Sequence, residues 1–127
     1  MSIDIYQENI LDHYENPRNF GHLKKADAIA HDANPLCGDV FDIEMRFEKN
    51  KLKEIMFSGH GCAISTASAS MLSEKIKNLS VNQIKKTEKK DVLKMLGIEL
   101  SHVRLKCALL PLKVMKLAIY DYLNKKQ

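Results

Sequence analysis

Two observations predict an α+β fold. From Val40 to Glu48, Phe41, Ile43, Met45 and Phe47 alternate with Asp42, Glu44, Arg46 and Glu48, a period of two that marks a strand with one buried face. Downstream the period becomes helical. Ile64, Ala67, Met71, Lys75 and Leu79 trace one stripe, and Leu105, Leu109, Leu112, Met115, Ile119 and Tyr122 trace a longer one. The 127 residues, 45% hydrophobic and 28% charged, suit a single domain (1–127) with a modest core. No repeat, low-complexity segment or linker divides them.

Before the first strand, Ile3, Tyr6, Ile10 and Tyr14 recur at helical spacing, and Asp4 and Glu8 suit a first turn. That helix should stop near Glu15 or Asn16, because a residue before proline (Pro17) is driven out of the helical region. Ala26 to His31 reads as a short strand. After the turn "EKNK", Leu52, Ile55 and Phe57 give another strand, so the strands form an antiparallel meander. Gly59 and Gly61 are expected to break the last strand. In "CAISTASASM" the small side chains allow the helix to approach a neighbour closely. Ser80 can cap a short helix from Val81, and Lys89 to Leu96 reads as one more, ended by Gly97. Pro111 is awkward inside a helix. The C-terminal helix is therefore expected to start near Cys107 or Ala108, with Pro111 in its first turn.

Composition narrows the function. The net charge of +4 resides largely in "IKKTEKKDVLK" and "LNKKQ", which read as solvated helix faces, with a docking surface for an acidic protein as the alternative. Aromatics are only 6%, with no Trp, and no basic-aromatic interleaving occurs, so nucleic acid is not an expected partner. No apolar run approaches the roughly 20 residues of a membrane helix. No basic flank leads into an apolar core at the N-terminus. A cytoplasmic, reducing setting is expected, and the odd count of three cysteines argues against a disulfide framework.

Cys37 follows an Asn-Pro turn and leads into a strand. Cys62 follows Gly-His-Gly and opens a helix, and Cys107 is expected to open the last one. Amides at a helix N-terminus favour an anion, so the thiol pKa values of Cys62 and Cys107 should be depressed, with Lys106 able to act in the same sense. Any one of these cysteines could be a small buried hydrophobe, and Asp39 alone would be a turn or cap residue. Taken together, three thiolates and the Asp39 carboxylate make a set suited to tetrahedral zinc or a small iron-sulfur cluster. The steps of 25 residues (62 − 37) and 45 (107 − 62) contain no CxxC pair, so only folding could unite them. His60 and His102 lie near cysteines but read as surface or turn residues, and His13, His22 and His31 have no chemical company. No GxSxG, GxxxxGK[ST] or GxGxxG motif occurs.

With these motifs the sequence resembles the U-type iron-sulfur cluster assembly proteins, the IscU/NifU/SufU family. "DHYENPRNFG" (12–21) is similar to its N-terminal signature. "NPLCGD" (34–39), "GHGCAISTASASM" (59–71) and "RLKCALLPLKVMKLAI" (104–119) are similar to its three ligand motifs. The resemblance implies a SufE/NifU-like α+β fold, with a three-stranded antiparallel sheet covered by helices. It implies a site of Cys37, Asp39, Cys62 and Cys107 that holds a nascent [2Fe-2S] cluster, iron or zinc. It also implies an IscS/SufS-like cysteine desulfurase as sulfur donor and iron-sulfur apoproteins as acceptors. Lys106 stands where IscU-like chains carry a histidine, as in SufU, yet the chain lacks the SufU insertion before the third cysteine. Three functions are therefore carried forward. The first is a non-enzymatic scaffold that accepts persulfide sulfur, with Cys37 first and Cys107 second as acceptor. The others are a SufU-type zinc-dependent sulfurtransferase and a structural zinc domain that only binds a partner.

Overall fold

The computed structural model describes residues 5–126. Its elements in chain order are α1 (Ile5–Glu15), β1 (Ala28–Asn34), β2 (Asp39–Glu48), β3 (Lys51–His60), α2 (Ala63–Ile76), α3 (Val81–Lys85), α4 (Lys89–Leu96) and α5 (His102–Lys125). The strands form one antiparallel sheet in the order β1-β2-β3, the α+β architecture expected.

The alternation along β2 does what its period demands. Phe41, Ile43 and Met45 are completely buried, and Leu52, Ile55 and Phe57 of β3 join them. Each such side chain contributes roughly 1.5–3 kcal/mol by leaving water. The other face is polar, with Arg46 bonded to Glu54 at 3.1 Å, His31 to Asp42 at 2.7 Å and His22 to Glu44 at 2.7 Å. Lys49 and Asn50, with φ of 52° and 62°, close β2 to β3 in a tight turn whose twist matches that of the strands. Helix α5 lies along β1 and β2, α2 along β3 and α5, and α1 on α2.

Several expectations need correction. Ile3 and Asp4 lie outside the described residues. Of the remaining stripe only Ile10 is buried, while Tyr6 and Tyr14 are 47% and 44% exposed. Strand β1 runs to Asn34 rather than His31, because pairing with β2 continues to Asn34 opposite Asp39. Gly59 does not end β3. It pairs with Phe41 at φ +114°, and a Cβ there would collide with the Val40 carbonyl. Helix α2 stops at Ile76, short of Leu79. The largest departure is α5, which begins at His102 with Ser101 as its cap, the Ser101 hydroxyl accepting from Arg104 N at 3.3 Å. Pro111 therefore sits inside the helix and is buried. The bond it deletes is the one to the carbonyl four residues back, which belongs to Cys107. The caps at Ser80 and Gly97 are as expected, the latter left-handed at φ 69°.

Candidate metal and sulfur-acceptor site

The site lies at the end of the sheet away from the β2–β3 turn. Residues 35–38 form the β1–β2 turn, closed by Gly38 N to Asn34 O at 2.8 Å and Leu36 N to Asn34 Oδ1 at 3.0 Å. This turn leaves Cys37 exposed, whereas Asp39, the first residue of β2, is 3% exposed. Cys107 comes from the second turn of α5 and is 1% exposed. One ligand atom from each of Cys37, Asp39 and Cys107 lies within 4.8 Å of the others. The Cys107 thiol donates to Cys37 Sγ at 3.2 Å.

Cys62 does not join this set in the same way. It is the N-cap of α2, and its Sγ accepts from Ser65 N at 3.5 Å. Its backbone N–H donates to Asp39 Oδ1 at 3.1 Å. Gly61 keeps this corner tight, since a Cβ there would meet the Asp39 carboxyl carbon at 3.1 Å and collide with Ser65 Oγ.

The thiols differ electrostatically, and only one follows the sequence-based expectation. Burial works against the Cys62 thiolate, but the Ser65 N–H and hydroxyl outweigh it, so its pKa falls below the ordinary value. Cys107 is pushed well up instead of down. Burial is the main cause, followed by its hydrogen bond to Cys37 and the negative charges of Cys62 and Asp39. The reason is positional: Cys107 lies inside α5, away from the free N–H groups at the helix start, and Lys106 points into solvent as an exposed residue.

Asp39 Oδ2 bears on what the site could hold. It is buried and has no hydrogen-bond partner. An unpaired buried carboxylate oxygen is costly, and a cation beside it removes that cost. The donors are sulfur and carboxylate oxygen, a set compatible with zinc or iron. The residues present therefore fit such an ion.

Sequence reasoning overlooked the buried serines that tie α2 to its neighbours. Ser70 Oγ accepts the Arg18 N–H at 2.8 Å and is paired with buried His13 Nδ1 at 2.7 Å. Asn19 donates to Ser73 Oγ at 2.9 Å, and Ser68 donates to the Ala108 carbonyl at 2.7 Å. The signal was present in serines at 65, 68, 70 and 73 on a helix otherwise rich in alanine. Buried hydroxyls need partners, and the "DHYENPRN" segment and α5 supply them. His60 and His102 are exposed, as expected. Among the described residues, no helix is long and apolar enough to cross a membrane.

The comparisons with known proteins bear on the family and the fold. The model of the NifU-like N terminal domain matches residues 5–127. The iron-sulfur cluster assembly scaffold protein IscU 1 of Archaeoglobus fulgidus is 32% identical over 121 residues, covering 95% of this chain and 78% of the relative. The iron-sulfur cluster assembly enzyme IscU of Drosophila melanogaster is 35% identical over 129 residues, covering 98% and 82%. A crystal structure from Fervidobacterium islandicum, described as a candidate iron-sulfur cluster assembly scaffold protein for the SUF system, superposes with a TM-score of 0.79. It has 25% identity, and the match covers 88% of this chain and 94% of that one. The chain belongs to the NifU-like N-terminal domain family.

Proposed function

We propose that the chain is a cytoplasmic, single-domain scaffold for iron-sulfur cluster assembly, and not an enzyme. In this reading it accepts persulfide sulfur from a cysteine desulfurase at Cys37. It builds a [2Fe-2S] cluster among Cys37, Asp39, Cys62 and Cys107, and passes it to acceptor apoproteins. The observation that carries the reading is the convergence of Cys37, Asp39 and Cys107 within 4.8 Å around a buried, unpartnered carboxylate oxygen. The names of the archaeal and insect relatives support it.

The residues have distinct parts in this function. Cys37, exposed on its turn, meets the incoming persulfide. Leu36, next to it in the chain and 73% exposed, and Val103, 61% exposed and lining the same pocket as Leu36, offer apolar contact to the donor. Asp39 contributes a hard oxygen among soft sulfurs, a weaker grip that suits cargo which must leave. Cys62 becomes a ligand by turning its sulfur away from Ser65. Anaerobic reconstitution with iron and sulfide tests the reading: a visible-absorbing cluster on the native chain, lost in Cys37→Ser and Cys107→Ser, supports it, and no cluster overturns it.

A zinc-dependent sulfurtransferase of the SUF type is the second reading, kept because Lys106 stands where IscU-like chains carry a histidine; the Fervidobacterium structure shares the SUF system but is described as a scaffold. The second reading predicts one tightly held zinc per chain and zinc-dependent stimulation of the desulfurase. A purely structural zinc domain would instead unfold on chelation.

A further inference from the structure

The sulfur that a persulfide delivers is at the sulfane level, whereas the bridging sulfurs of an iron-sulfur cluster are sulfide. Two electrons must be found between the two states. Two thiols that close to a disulfide release two electrons, and the structure holds such a pair: Cys37 and Cys107, with sulfurs 3.2 Å apart.

We propose that Cys107 is the resolving thiol of a Cys37 persulfide, converting the delivered sulfur to free sulfide as a Cys37–Cys107 disulfide forms. The inference rests on the reading of Cys37 as sulfur acceptor.

Access divides the labour. Cys37 is exposed and can meet a donor, while Cys107 is 1% exposed and cannot. In the first step the Cys37 thiolate attacks the outer sulfur of a persulfide donor, RS–SH. The donor's S–S bond breaks, RS⁻ leaves as a thiol after protonation, and Cys37 carries S–SH. In the second step Cys107, whose S–H faces Cys37, passes its proton to the outer sulfur of the persulfide, and the thiolate so formed attacks Cys37 Sγ. A Cys107–Cys37 S–S bond forms, the Cys37–SH bond breaks, and the Cys107 proton leaves with the departing group as H2S. The outer sulfur gains two electrons and the two cysteine sulfurs lose them, so this step balances by itself; a dithiol reductant, itself closing to a disulfide, must then reopen the Cys37–Cys107 bond before these sulfurs can bind iron or accept a second sulfur.

Geometry favours this closure. A disulfide needs its sulfurs about 2.05 Å apart, so they must approach by a little over 1 Å. The turn can supply that movement. Cys37 lies between Leu36, which projects into solvent, and Gly38, where even an added Cβ would find no atom within 4 Å. Cys107 is the fixed partner, held within α5, whose next carbonyl, Ala108 O, is gripped by Ser68. Cys62, by contrast, has its sulfur engaged by Ser65 and is not paired with Cys37.

The test treats the metal-free full-length chain with cysteine persulfide, quenches with an alkylating agent at intervals, and follows intact mass and released sulfide. The native chain should gain one sulfur atom transiently, then lose two hydrogens relative to the dithiol, with one extra sulfide per chain over the Cys107→Ala variant. Peptide mapping should join Cys37 to Cys107. Cys107→Ala, and Cys107→Ser as a second variant, should retain the added sulfur on Cys37. A native adduct as long-lived as that of both variants, or one that moves to Cys107 without sulfide release, overturns the inference while leaving Cys37 as acceptor. If no chain, variant included, ever gains sulfur at Cys37, the acceptor reading itself falls.

Discussion

Asp39 accepts the backbone N–H of Cys62 through Oδ1 at 3.1 Å, while its Oδ2 is buried with no partner. One carboxylate thus ties the start of β2 to the cap of α2 and leaves one oxygen unpaired. Asp39→Ala removes the only oxygen donor of the proposed site and leaves the sulfurs, so a reconstituted cluster should leave more slowly, by several-fold. In the metal-free chain the same change strands the Cys62 N–H at a cost of about 1–3 kcal/mol. Asp39→Asn keeps an acceptor for that N–H and separates the two effects. Decay of visible absorbance during anaerobic chelation measures the first, and thermal melting the second. Equal decay in native and Asp39→Ala chains would sink the lability argument.

The three thiols should be ranked by alkylation. Burial, the Cys37 hydrogen bond and nearby negative charge hold Cys107 far above the ordinary thiol range, while the Ser65 donors draw Cys62 below it. Only the thiolate reacts. In metal-free protein near pH 8, iodoacetamide should modify Cys37 and Cys62 at least about tenfold faster than Cys107. The Cys62 rate should level off below the usual thiol pKa of about 8.5, and the Cys107 rate should still be climbing above it. Peptide mass spectrometry at short times reads the order. Cys107 modified first would contradict its buried, hydrogen-bonded placement.

Much of this was legible in the residues, and the parts that were not have physical causes. The alternation from Phe41 to Phe47 named the buried face of β2 because period two admits no other arrangement once one face is dry. The segment "AIAHDAN" carries little such signal, so the full length of β1 is decided by its pairing with β2 rather than by its own side chains. Pro111 argued for a late start to α5 because a proline inside a helix costs about 3 kcal/mol or more. Tertiary burial of Cys107, Ala108, Leu110, Leu112, Val114 and Met115 against the core, with the cap at Ser101, outweighs that local cost. The same displacement reverses the expected shift at Cys107. Motif order put forward four ligands, of which Cys37, Asp39 and Cys107 converge, but the turning of Cys62 toward Ser65 depends on a backbone N–H whose direction no sequence motif specifies.

Gly59 provides a direct check on the packing beneath the site. Its φ of +114° is a conformation that side chains rarely adopt, and a Cβ would collide with the Val40 carbonyl, 3.1 Å from Phe41 Cα. Backbone on both sides leaves no flexible group to yield. Gly59→Ala should cost roughly 2–4 kcal/mol, the range of a strained backbone position combined with overpacking. The neighbouring exposed site His60→Ala should lie within about 0.5 kcal/mol of native. Chemical denaturation of both variants decides the matter, and a Gly59→Ala chain as stable as native would refute the close approach of β3 to Val40.

His13 should make the docking of α1 sensitive to pH. Its ring is buried against Ser70, and its pKa lies below the ordinary value, chiefly because burial opposes the charged form and secondarily because Arg18 is near. Glu74, 3.7 Å from Nε2, and Asp12 oppose these effects without reversing them. A base whose pKa is lower folded than unfolded binds more protons when unfolded, so stability rises with pH across the interval between the two values. The contribution is complete above the unfolded value of about 6.5 and is lost as pH falls from there through the folded value. His22 and His31 are exposed and paired with Glu44 and Asp42, and they are unchanged in a His13 variant. Comparing native and His13→Asn chains therefore isolates the one ring. Denaturation midpoints from pH 5 to pH 8 should fall toward acid more steeply for native than for His13→Asn, whose amide can still face Ser70 but does not titrate. Ser70 Oγ already accepts from Arg18 N at 2.8 Å and Nε2 faces Glu74, an arrangement that suits the tautomer in which neutral Nδ1 accepts the Ser70 hydroxyl; in that tautomer protonation turns the acceptor into a second donor toward Ser70. The acid loss should therefore appear first as faster amide exchange in α1 and at Arg18, before the sheet opens. Parallel pH profiles for the two chains would show that His13 is neutral in both states or charged in both, contrary to its burial.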